Sequence, residues 1–123
     1  MKIPAGAGRR RKMSKVTTIT FTGESGRKYT FDTYEKSTKF NDVSAVYIFT
    51  KRYVTASGGY SQIALYVGET RELGTRIGSH EKWPCVERNG CTHISIMQVS
   101  GSQQRLDIET DLIHSLNPVC NRQ

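Results

Sequence analysis

Two tyrosines, an arginine, a histidine and a glutamate carry the chemistry legible in this chain: Tyr47, Tyr66, Arg76, His80 and Glu109. The set suits phosphodiester cleavage. One carboxylate can hold Mg²⁺ while water and phosphate oxygens fill the other positions. An arginine stabilises charge on phosphoryl oxygens. A tyrosine or a histidine handles the proton of the attacking water. Each residue also has a plainer reading: an ordinary strand aromatic, a snorkelling arginine, a histidine capping a helix end, a glutamate paired at the rim. The chemical reading rests on the ensemble. Three polar residues on two predicted helices interrupt apolar stripes in a compatible way.

The elements that must position them begin with Ala45–Phe49 and Ala64–Gly68, two apolar runs rich in β-branched and aromatic residues. Thr55–Gly59 between them is a turn signal, so the pair reads as an antiparallel hairpin. Alternation places Tyr47 with Ala45 and Phe49, and Tyr66 with Ala64 and Gly68. Gly68 marks a point where a helix or ligand comes close. Residues 71–80 then read as a helix capped by Thr70, with Leu73 and Ile77 apolar and Arg76 and His80 on the same side. Gly74 and Gly78 weaken it, Trp83-Pro84 ends it, and a turn-rich link follows. Thr92–Val99 reads as a strand and Gln103–Leu116 as the last helix. Its apolar stripe is Leu106, Leu112, Ile113 and Leu116, with Glu109 near the middle and Asp107 and Asp111 pointing outward. A carboxylate there needs a cation, a buried arginine or a cluster of N–H donors. Upstream, Val16–Phe21 and Lys28–Thr33 form a hairpin at the sheet edge, and 34–42 reads as a connector.

At these residues the chain resembles the GIY-YIG nuclease family. Ala45-Val46-Tyr47 matches the first signature, with Ala for the usual Gly, and Tyr66-Val67-Gly68 matches the second. Arg76, ten positions beyond Tyr66, matches the helix arginine, and His80 the His/Tyr position four further on. Glu109 matches the metal-binding glutamate, and Leu116-Asn117-Pro118 through Asn121 the closing motif. The likeness spans about residues 44–121. It implies an α+β fold: a central three-stranded antiparallel sheet flanked by helices, here with an extra N-terminal β-hairpin over 16–34. It also implies single-metal hydrolysis of DNA with Mg²⁺ or Mn²⁺ on Glu109. Tyr47 would be the general base or orient water. Tyr66 would contact the phosphate or help deprotonation, Arg76 would stabilise charge, and Gly68 and Asn121 would lie against substrate. Glu69 departs from the family pattern, and its acid weakens phosphate binding, assists the metal or pairs with Arg71.

The chain has 123 residues and a net charge of +7. Six of its cations and none of its acids fall in residues 1–15, so the remainder is nearly neutral. That segment reads as a basic leader before a single domain spanning 16–123. Arg9, Arg10, Arg11 and Lys12 would add salt-sensitive attraction to phosphates, although a solvated leader explains them too. No membrane segment or secretory signal is evident. Three cysteines without a C-x-x-C pair suggest unpaired thiols in a reducing interior, cytoplasmic or nucleoid-associated. With no separate sequence-reading module, specificity falls to loops, the N-terminal hairpin, a homodimer or a partner protein. The alternatives to an endonuclease are an inactive nucleic-acid-binding module and a protein-interaction domain.

Overall fold

The computed structural model describes residues 14–122. Its strands are β1 (Thr17–Thr22), β2 (Lys28–Glu35), β3 (Ala45–Val54), β4 (Tyr60–Thr70) and β5 (His93–Gln98). The helices are α1 (Leu73–Gly78), α2 (Trp83–Arg88) and α3 (Ser102–Leu116), followed by a 3₁₀ turn at Val119–Asn121. All strands join one antiparallel sheet in the order β1-β2-β5-β3-β4.

This corrects the expected three-stranded centre with an extra hairpin. A continuous five-stranded sheet forms because β5 is buried on both faces, with Ile94, Ser95 and Ile96 all inside. Its backbone finds partners along both edges, with β3 on one side and Asp32–Glu35 of β2 on the other. The N-terminal hairpin also supplies core. Phe21 and Phe31 meet edge-to-face at 5.9 Å. They pack with Val46, Ile48, Ile108 and Leu112 beneath α3. The opposite face gathers Ala45, Tyr47, Phe49 and Ile94 against Leu73, Ile77 and Val86 of α1 and α2. The helices therefore cover opposite faces of the sheet.

Strict alternation fails on β4. Phe49 pairs with Tyr66 but Thr50 pairs with Ala64, so Leu65 has no partner. The bulge sends Leu65 and Tyr66 to the Tyr47 face and leaves Ala64 on the other, whereas the sequence pattern puts Ala64 with Tyr66.

Helix α1 is shorter than the periodicity suggests, and Thr70 is not its cap. Thr70 belongs to β4, and its Oγ1 accepts the Glu72 N–H at 3.0 Å. The connector secures α1 instead: Asp42 accepts from the Thr75 N–H at 2.6 Å and the Thr75 hydroxyl at 2.9 Å. Gly74 permits this contact, because a Cβ there would lie 2.2 Å from the Phe40 carbonyl oxygen. Trp83-Pro84 opens α2 rather than ending in a loop. Proline needs no N–H in a first turn, and Trp83 Nε1 donates to the Ile77 carbonyl at 2.8 Å.

A disulfide joins Cys85 of α2 to Cys120 of the 3₁₀ turn, which corrects the expectation of three unpaired thiols; Cys91 is free and buried. Among the described residues no helix is long and apolar enough to cross a membrane.

Candidate functional site

Tyr47 stands in β3 with 1% of its surface exposed, and its Oη lies 2.6 Å from Nε2 of His80. The sheet floor makes this possible. A Cβ on Gly68 would sit 2.5 Å from Tyr47 Cζ and Oη and 2.9 Å from Tyr66 Cε2. The close approach that the glycine permits is thus made by the two phenol rings. His80 follows α1 and is wedged among aromatic rings, with centroids 5.6 Å from Tyr47, 5.1 Å from Phe49 and 5.1 Å from Tyr66.

The hydrogen bonds assign the protons. The Lys82 backbone N–H donates to His80 Nδ1 at 3.0 Å, so that nitrogen is an acceptor. Burial, helped by the Arg76 charge, pushes His80 down to about 4 and keeps it neutral near pH 7. Its one proton then sits on Nε2 and is donated to Tyr47 Oη. His80 cannot take the Tyr47 proton in this tautomer. It supports negative charge on that oxygen and leaves the Tyr47 hydroxyl proton free to point elsewhere.

Burial raises both phenols. The neighbouring Tyr66 raises Tyr47 further, Arg76 pulls both down, and Glu109 pushes both up. The charges of Arg76 and Glu109 thus both reach the two hydroxyls, although α3, which carries Glu109, covers the sheet face opposite Tyr47. Arg76 is held by a residue outside the expected set. Both of its terminal nitrogens donate to Glu81, at 2.6 and 2.9 Å. That bidentate pair holds Glu81 down at about 2 and raises Arg76. Glu81 is detectable in sequence only as an acid immediately after His80, beyond the helix that carries Arg76.

Glu109 lies on α3, which packs along the edge strand β4. It is half-buried, and its carboxylate makes no hydrogen bond or ion pair with another described residue. Burial and the charge of Glu69 both raise its carboxyl. The buried stripe of α3 is Arg105, Ile108 and Leu112, while Leu106 is 44% exposed, so the stripe is rotated from the expected one. The expected outward direction of Asp111 is also corrected. Asp111 accepts from the Ser25 N–H, the Ser25 hydroxyl and the Tyr29 hydroxyl at 2.7 to 2.8 Å.

Glu69 pairs with Arg105, not Arg71, at 2.9 Å. Arg105 is 2% exposed and also donates to the Val99 and Ser100 carbonyls. A buried arginine in a helix stripe was missed because Leu106 beside it is the more obvious core residue. The Asn121 amide is spent on the open edge of β4. Its Oδ1 accepts from Val67 N–H at 2.8 Å and its Nδ2 donates to Val67 C=O at 3.0 Å. Arg9, Arg10, Arg11 and Lys12 lie outside the described residues.

The metal question turns on Glu109. Among the described residues no group of three or more His, Cys, Asp or Glu side chains is placed to hold an ion. A dedicated protein cage is therefore not the fit. The one donor that fits is Glu109 itself, a half-buried carboxylate with no partner among the described residues, which suits only a cation that keeps most of its water, because the neighbouring Glu69 is taken by Arg105. No family model, curated protein or solved structure matches the chain.

Proposed function

We propose that the protein is a metal-dependent endonuclease that hydrolyses DNA phosphodiester bonds at the Tyr47–Tyr66–Arg76–Glu109 cluster. The resemblance to GIY-YIG nucleases supports this, and so does one observation above the others. Glu109 is held half-buried with no partner among the described residues, and its charge reaches both phenols. A folded chain keeps such a group at a cost unless something outside the chain satisfies it.

Glu109 is the residue that would hold Mg²⁺ or Mn²⁺, which supplies charge stabilisation and an acidified water when bound. The rest falls to this chain's own groups. Arg76, fixed in orientation by Glu81, faces the non-bridging phosphate oxygens and stabilises charge developing there. Tyr47 orients the attacking water. Its oxygen is held by His80 Nε2–H, which would stabilise the phenolate if the proton leaves. Tyr66, less buried than Tyr47, is the phenol that substrate reaches first. Gly68 brings both rings close to the backbone without obstructing either. An intracellular DNA substrate would put the protein in the cytoplasm or at the nucleoid, where the Cys85–Cys120 bond meets reductant. Specificity from a homodimer or a partner protein is compatible with this reading.

The test is conversion of supercoiled plasmid to nicked circles with Mg²⁺ or Mn²⁺. Wild type should nick, chelator should stop it, and Glu109→Ala should lower the rate more than about 10³-fold. Equal nicking by wild type and Glu109→Ala would refute the proposal, as would no nicking over a wide protein range.

A further inference from the structure

Between the connector that precedes β3 and helix α1 lies a cavity of about 500 Å³. None of Tyr47, Tyr66, Arg76, His80 or Glu109 lines it, so it is separate from the cluster described above. Its apolar surface comes from Phe40, Ile77 and Trp83. Trp83 is fixed in place. Its ring centroid is 4.8 Å from that of Phe49, and its one polar atom, Nε1, already donates to the Ile77 carbonyl at 2.8 Å. A ligand therefore meets this indole only as an aromatic surface.

The connector supplies the polar part of the wall. Ser37 and Thr38 line the cavity, and neither hydroxyl has a hydrogen-bond partner among the described residues. Lys36 and Lys39 also line it, and no acid joins them. Glu87 takes Lys36 at 2.9 Å, whereas Lys39 is exposed and pairs with no carboxylate among the described residues. One unneutralised cation, two open hydroxyls and a flat aromatic surface suit a ligand with a planar body, hydrogen-bonding edges and a negative charge.

Gly78 is an independent sign of an occupant. Its φ is not positive, and a Cβ there would meet nothing within 4 Å. Neither the backbone nor the packing requires a glycine at this position, and glycine is a poor helix former. Gly74 differs, because the Phe40 carbonyl oxygen excludes a Cβ there. What Gly78 does is keep one wall of the cavity clear of any side chain.

We propose that this cavity binds a nucleotide, with the base on the Trp83 and Phe40 surface, the phosphate on Lys39, and Ser37 and Thr38 on the sugar or the base edge. Its volume lies in the range that small-molecule pockets occupy. Stacking on an aromatic side chain accepts any base, because every base has a π-face. The same features recognise a free nucleotide and an unpaired nucleotide within a strand. A strand held here passes close to the tyrosine cluster, since Phe49, which backs Trp83, is also 5.1 Å from His80. The site goes beyond the nuclease reading and needs neither a metal nor Glu109.

Trp83 is the only tryptophan in the chain, so its fluorescence reports on the cavity directly. The experiment titrates the full chain, with chelator present, against thymidine 5′-monophosphate, thymidine and a short single strand of thymidylate. The monophosphate should quench saturably, and thymidine should bind about tenfold more weakly for want of the phosphate. Lys39→Gln should weaken the monophosphate about tenfold and change thymidine little. Gly78→Leu, which takes up the open space, should remove saturable quenching while the urea midpoint holds or rises. Circular dichroism checks that both variants fold. A strand that binds more tightly than the mononucleotide, with the same dependence on Lys39 and Gly78, sustains the site and makes the strand its ligand. Equal or weaker binding of the strand sustains it as a site for the free nucleotide. Absence of saturable quenching by the monophosphate would overturn the inference, as would quenching that both folded variants retain. Nucleotide binding without plasmid nicking would sustain the site and sink the nuclease reading. Nicking without nucleotide binding would do the reverse.

Discussion

Glu109 and Asp111 are two residues apart on α3 and point about 200° away from each other. Asp111 faces the β1–β2 turn, where three donors satisfy it, and its carboxyl is held below the ordinary aspartate range. Glu109 lies beside the charge of Glu69, receives no donor from the described chain, and is held above the ordinary range. The helix, the neighbouring sheet and the charge are shared, so the contrast isolates a single variable: whether the fold completes the carboxylate. Asp111 is completed and holds the hairpin to α3. Glu109 is left without a donor among the described residues, and its charge reaches the two phenols. Satisfaction by the fold thus separates groups that build the molecule from groups available to a ligand.

The largest effect should be a crossed pair of outcomes. Glu109→Ala should abolish nicking, more than about 10³-fold, with the urea midpoint unchanged or raised, because a burdened charge is removed. Asp111→Ala should lower the midpoint and leave the rate per folded molecule within about twofold. The pH dependences should cross as well. The raised Glu109 carboxyl favours stability at low pH, a contribution lost as pH rises through its folded value. The lowered Asp111 carboxyl favours stability at higher pH, lost as pH falls through its folded value. If both substitutions destabilise and neither changes the rate per folded molecule, the contrast has no functional content.

Arg76 sits between the two cases, since Glu81 takes two of its nitrogens yet the pair is at the surface of the site. Arg76→Ala should lower the nicking rate about 10²- to 10³-fold. Glu81→Gln should act through Arg76 instead. A guanidinium freed from its carboxylate binds phosphate more tightly but is less well aimed, so KM should fall while kcat drops several-fold. A parallel loss of both would show that Glu81 only supports the fold.

His80 sharpens the contrast from inside the site, being buried and completed on both nitrogens. Its value is lowered from 6.5 to about 4, so its contribution to stability is complete above pH 6.5 and is lost as pH falls toward 4. The urea-derived stability of wild type should fall by up to about 3 kcal/mol across that window. His80→Gln should flatten that part of the profile, whereas Glu81, at about 2, titrates largely below it.

How much of this was legible beforehand follows from the range of the interactions. The β3–β4 hairpin and α3 are local, written in runs of apolar residues and a stop at Asn117-Pro118, and the structure places them close to where those signals fall. The five-stranded order was not legible. The pairing of β2 with β5 joins residues some sixty apart, and nothing local in Asp32–Glu35 names Ile96–His93 as its partner. The bulge at Leu65 escaped because alternation has no marker for one extra residue. Asp42, Glu81 and Asp111 escaped for a common reason: a charged side chain in a polar stretch looks solvated until the fold brings its donors. The Cys85–Cys120 bond escaped because an odd cysteine count favours free thiols when no geometry is known. Residue types at the site were readable; their completion by neighbours was not.

The smallest effect belongs to Asn121, which the contrast assigns to the building side. Both polar atoms of its amide are used on Val67, between Tyr66 and Gly68 on the open edge of β4. Asn121→Ala should speed hydrogen exchange at the Val67 N–H and cost activity less than about tenfold, since the phenols lose alignment rather than a partner. Asn121→Asp keeps the acceptor for that N–H but loses the donor to the carbonyl, so exchange should stay closer to wild type. Should nicking fall in Asn121→Ala while Val67 exchange stays slow, the amide is touching substrate instead. Satisfaction in the unliganded fold would then no longer separate builders from binders.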